Sequence, residues 1–90
     1  MTSETTARFW KAFYVLPEAI QFQAREAYRL FRENPQHPSL QFACKNPRIG
    51  LYAARVTLAY RVLATVEGDM ITWFWIGGHD EYERLIRSLR

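Results

Sequence analysis

Apolar and polar positions along the chain follow two different periods, and the change from one to the other falls at a cluster of prolines. Phe9, Trp10, Phe13 and Tyr14 recur at spacings of three and four, which predicts an amphipathic helix burying an aromatic stripe and ending near Leu16. Pro17 cannot extend that helix but suits the first turn of a new one, where Glu18 complements the positive end of the helix dipole. The spacing predicts a second helix from Pro17 to Glu33, with Ile20, Ala24, Ala27, Tyr28 and Phe31 on one face and Arg25, Arg29 and Arg32 on another. The two helices are expected to form a hairpin. Phe22 falls on the polar side, and a boundary position is expected for it rather than full exposure.

Asn34, Pro35, His37 and Pro38 end helical structure, since each proline drives its predecessor toward extended geometry. Ser39 to Cys44 alternates as a strand, and Lys45 to Gly50 reads as a turn. Leu51 to Val66 is rich in β-branched and aromatic residues but too long for one strand, so it divides into two with a break near Thr57 to Ala59. Glu67, Gly68 and Asp69 mark a hairpin, and the apolar run Met70 to Ile76 predicts a central strand. Gly77 and Gly78 permit a sharp change of direction. Tyr82, Leu85, Ile86 and Leu89 then carry helical spacing within a short helix over Asp80 to Arg90. Met1 to Thr6 has no periodic pattern and is expected to be a loose end or at most a short edge strand. The fold class is therefore α+β: an N-terminal helical hairpin on a twisted antiparallel sheet of three to four strands, closed by a short C-terminal helix.

Composition sharpens this picture in two places. The chain of 90 residues has a hydrophobic content of 49%, enough for one core without disulfides or a structural metal, so one domain over 1–90 is expected. The formal net charge is +3, and Lys11 and Lys45 are the only lysines among the 12 basic residues. Arginine presents a planar fork that matches phosphate oxygens bidentately, so the bias points weakly to a phosphate-bearing partner. Cys44 is the single cysteine, which excludes an internal disulfide and a zinc cluster of paired cysteines. As a strand residue it is expected to be a small core hydrophobe. With no apolar leader and no run long enough to span a bilayer, the protein is expected to be cytoplasmic and free of the membrane.

Two groups of residues could carry chemistry. Arg55 and Arg61 lie on adjoining strands, with Lys45 on the preceding loop, and could converge on one phosphate. An odd number of connecting residues would set the two arginines across from each other on one face, and an even number on opposite faces. The second group is Gly77-Gly78-His79-Asp80-Glu81-Tyr82, where strand gives way to helix. Histidine there can give or take a proton near neutrality. His37, between prolines, is expected to be structural. No Walker loop, GxGxxG after a strand, HExxH or paired nucleophile motif is present, which sets aside nucleotide-hydrolysing, dinucleotide-dependent and zinc-protease chemistry.

Leu16-Pro17-Glu18, Asn34-Pro35 through His37-Pro38-Ser39-Leu40, Tyr52 with Arg55-Val56, Tyr60-Arg61, and Trp75-Ile76-Gly77 through His79-Asp80-Glu81-Tyr82 together resemble the RelE/ParE toxin superfamily. The likeness is greatest to the RelE-like branch of cytotoxic translational repressors. The resemblance implies a type II toxin acting as a metal-independent, cofactor-free endoribonuclease on mRNA, in many relatives at the ribosome, and neutralised by a cognate antitoxin protein. On this chain Arg61 looks like the phosphate-binding arginine of a Tyr-Arg pair and Arg55 like a supporting clamp. His79 matches a region where relatives place an acid-base residue, and Tyr82 is a hydrogen-bond donor beside it. Lys45, Arg48, Arg55 and Arg61 are the implied RNA contacts. The alternative within the same resemblance is a non-catalytic, ParE-like module inhibiting a protein target such as DNA gyrase.

Overall fold

Thr6 ends an extended segment and starts a helix: its backbone is extended, and its Oγ1 accepts a hydrogen bond from Phe9 N at 3.0 Å. In the computed structural model, which describes residues 1–89, the elements run β1 (Thr2–Thr5), α1 (Ala7–Tyr14), α2 (Glu18–Glu33), a 3-10 turn (Pro38–Leu40), β2 (Ala43–Asn46), β3 (Leu51–Thr57), β4 (Tyr60–Glu67), β5 (Met70–Gly78) and α3 (His79–Ser88). Arg90, the last residue of the expected C-terminal helix, lies outside the described residues. The class is α+β as expected. The sheet, however, has five strands in the order β1-β5-β4-β3-β2, and β1 runs parallel to β5, so it is mixed rather than purely antiparallel.

Several boundaries differ for physical reasons. Ser39 and Leu40 are not strand: His37 Nδ1 accepts from Ser39 N at 3.2 Å and caps the 3-10 turn, and Gln41 then adopts a left-handed conformation at φ 46°. The edge strand begins only at Ala43. Cys44 upon it is exposed, not buried, because it sits on a four-residue strand at the edge of the sheet. Phe22 is 61% exposed, so it is not a boundary residue. Gly77 and Gly78 do not turn the chain; β5 continues through them and α3 starts directly after. The expected break near Thr57 to Ala59 is present, with Leu58 and Ala59 forming the turn.

The sheet is covered on both sides. Phe9 and Phe13 from α1, Phe31 from α2, and Leu40 pack on Ile71, Trp73, Ile76 and Ala64. On the other side Tyr82, with Leu85, Ile86 and Leu89, packs on Leu51, Ala53, Leu63 and Trp75. Strict alternation would set Trp73 and Trp75 on one face, yet they belong to different cores. A bulge explains this: Leu63 pairs with Trp75 and Ala64 with Trp73, leaving Phe74 as an extra residue.

Candidate functional site

The candidate site is built at the end of the sheet where the β3–β4 turn meets the start of α3. Thr57 pairs with Tyr60 across the turn, and Arg55 pairs with Arg61, so β3 carries one extra residue, Val56, over that interval. A regular ladder from the same turn would put Val56 opposite Arg61 and send Arg55 to the other face. The bulge instead sets Arg55 opposite Arg61 in the backbone register, while Arg55 also borders the space beneath α1 and α2. Neither turn residue has positive φ. A two-residue connection of that kind opposes the natural twist of a hairpin, and an extra residue in one strand absorbs the mismatch.

Arg61 is oriented by its own turn. Its Nη1 donates to the carbonyls of Thr57 at 2.6 Å, Leu58 at 3.1 Å and Tyr60 at 3.1 Å. The other guanidinium nitrogens, Nε and Nη2, make no hydrogen bond among the described residues. On its far side Arg61 pairs with Gly77. A Cβ on Gly77 would stand 2.5 Å from Cζ2 of Trp75, so the indole lies back over this glycine and leaves no room for a side chain. The consequence is a cation with an opposed arginine on one flank and, on the other, a glycine covered by the Trp75 indole.

The start of α3 is fastened to the same turn, because His79 N donates to Ala59 O at 2.8 Å. The His79 ring lies 5.8 Å from the ring of Tyr82, and its Nε2 is 3.4 Å from Glu83 Oε1. Tyr82 is buried under the helix. Burial pushes its phenol above the ordinary value of 10.0, the Glu83 carboxylate adds to the rise, and the Arg61 charge pulls partly against it. The backbone pairings of Arg61 with Arg55 and Gly77, and the tie of His79 to the β3–β4 turn, bring Arg55, Arg61, His79 and Tyr82 to one end of the molecule.

Lys45 and Arg48 do not join them. Lys45 lies on β2 between the pairs Cys44–Tyr52 and Asn46–Leu51, and Arg48 lies in the following turn, where its N–H bonds Asn46 Oδ1 at 3.1 Å. Leu51 precedes Arg55 by four residues, roughly 13 Å along a strand. Both side chains are exposed, so they can meet only a more distant part of an extended ligand.

The electrostatics are one-sided. Among the described residues Arg29 forms ion pairs with Glu26 and Glu33, and the His79 ring lies beside Glu83, an ion pair only when the imidazole is protonated; no carboxylate pairs with Arg55 or Arg61. Like charges directly opposed on a sheet work against it, and Arg61 offsets part of its charge on the three carbonyls of its turn. Glu83 escaped the sequence reading, although its i+4 spacing from His79 on a helix was available. The carbonyls that steer Arg61 could not have been read from residue types.

No family model and no curated protein matches the sequence. Solved structures do resemble the fold. The RelB-RelE antitoxin-toxin complex from Methanococcus jannaschii includes a chain matched at TM-score 0.72 and 14% identity, over 91% of this chain and 96% of that one. YafQ from E. coli matches at TM-score 0.70 and 12% identity, over 89% and 94% of the two chains. A YoeB/ParE toxin from Agrobacterium tumefaciens matches at TM-score 0.68 and 15% identity, over 88% and 99%. The chain has the RelE/ParE toxin fold.

Proposed function

Taking the RelE/ParE fold as premise, we propose that this single-domain chain is the toxin of a type II toxin–antitoxin pair and cuts mRNA as a metal-independent endoribonuclease, inhibiting translation at the ribosome. The observation that carries this reading is the opposed Arg55–Arg61 pair, with no carboxylate partner among the described residues. RNA supplies the missing negative charge. The ribose 2′-oxygen attacks the adjacent phosphorus, the bond from phosphorus to the 5′-oxygen breaks, and the products are a cyclic 2′,3′-phosphate and a free 5′-hydroxyl. Arg61 and Arg55 hold the non-bridging oxygens as charge builds upon them. One proton must leave the 2′-hydroxyl and one must reach the departing 5′-oxygen. His79 is the proton-transfer group, and Tyr82, which keeps its own proton, donates a hydrogen bond.

Two of the neighbouring structures, from Methanococcus jannaschii and Staphylococcus aureus, are complexes of a toxin with its antitoxin. A cognate antitoxin that covers the basic end is the corresponding partner here.

The test is induction of the chain in cells followed by primer-extension mapping of messages. New 5′ ends that vanish with Arg55→Ala support cleavage. Growth arrest with no new ends would transfer the function to a protein target such as gyrase.

A further inference from the structure

A second feature lies on the other side of the sheet from α3. Helix α1 rests chiefly on β5 and α2 chiefly on β3, and between the two helices and the sheet is a cavity of about 360 Å³. That size falls at the small end of ligand sites, roughly 300–1,000 Å³. Its walls are aromatic and aliphatic: Phe9, Phe13, Tyr28, Phe31, Trp73 and Ile76 all contribute.

The rim supplies the polar half of a ligand. Arg25, exposed on α2, reaches across to α1 so that its guanidinium carbon lies 5.0 Å from the centroid of Phe13. It has no carboxylate partner among the described residues, whereas Arg29 one turn later is held by both Glu26 and Glu33. Glu4 and Arg55 also border the cavity.

We propose that this cavity binds a small carboxylate with an aromatic body, the ring packed edge-on among the aromatic walls and the carboxylate on Arg25. Ala24 and Ala27 line the same space, so side-chain volume added on α2 competes directly with the ligand.

Calorimetric titration of the full chain with naphthylacetate and its neutral amide tests the assignment. The acid should bind saturably and raise the unfolding temperature, and the amide should bind about tenfold more weakly. Arg25→Gln should erase the difference between the two compounds, and Ala24→Phe should abolish binding of both. Ala27→Leu intrudes less and takes over the volume test if Ala24→Phe does not unfold cooperatively. Absence of saturable binding, an acid preference that survives Arg25→Gln, or binding that survives the volume variant would each overturn the proposal.

Discussion

Arg55 and Arg61 stand directly opposite each other across β3 and β4, and they do so because β3 holds one more residue than β4 between that pair and the turn. Side chains so opposed have Cβ atoms about 4.5–5.5 Å apart, and like charges on such a pair work against the ladder. Neither arginine has a carboxylate partner among the described residues.

The Arg55→Gln variant should therefore be more stable and less active. Removing the repulsion should raise stability by about 0.2–1 kcal/mol, measured by urea unfolding. RNA affinity should fall, and the slope of its logarithm against that of salt concentration should flatten by about 0.7, the contribution of one phosphate on a single strand. An unchanged salt slope would remove Arg55 from the RNA interface.

Arg61 differs because it serves its own turn. Arg61→Ala releases three turn carbonyls, two of them only partly buried, and should cost about 1 kcal/mol while abolishing cleavage. Arg61→Lys keeps the charge and loses the planar fork. If bidentate phosphate binding matters, cleavage by the lysine variant should fall at least about tenfold at equal stability. Full activity with lysine would reduce the role to simple charge.

Gly77→Ala tests the packing under the site. The added methyl meets Trp75 Cζ2 at 2.5 Å and Cη2 at 2.8 Å, and Trp75 is 5% exposed. Overpacking of this sort costs about 1–3 kcal/mol. The expected result is a lowered unfolding midpoint with an altered near-UV tryptophan signal. Gly77 is thus required by a neighbouring ring and not by a turn.

Much of this fold was legible, and the unread parts share a cause. The stripe Tyr82, Leu85, Ile86 and Leu89 was visible because a helix repeats its period without interruption, and all four residues pack in the second core. The break after Thr57 was visible from strand length alone. Bulges, by contrast, leave no mark on residue type. Phe74 hides inside an apolar run, so nothing in the sequence separates Trp73 from Trp75. Val56 likewise reads as one more strand residue, which left the alignment of Arg55 with Arg61 open. Strand β1 was expected at most as a short edge strand because Thr-Ser-Glu-Thr buries almost nothing; its backbone pairing with β5 is what orders it.

Tyr82 offers a test that separates a buried phenol from an exposed one. Its folded-state pKa is raised, first by burial and then by Glu83, so the folded protein holds this proton more tightly than the unfolded chain does. Below the ordinary value of 10.0 both states are protonated and the contribution to stability is fully present. As pH climbs past that value the unfolded chain ionises first, and stability drains away until the folded phenol ionises as well. Urea unfolding between about pH 9 and pH 11 should therefore show a steeper alkaline loss for the native chain than for Tyr82→Phe. A phenol whose ordinary value of 10.0 is only raised is protonated at neutral pH, where it can donate to a phosphate or a leaving oxygen but cannot act as a base. If cleavage is observed, Tyr82→Phe should slow it without moving its pH profile near neutrality, and a shifted profile would show that the phenol is a titrating participant after all.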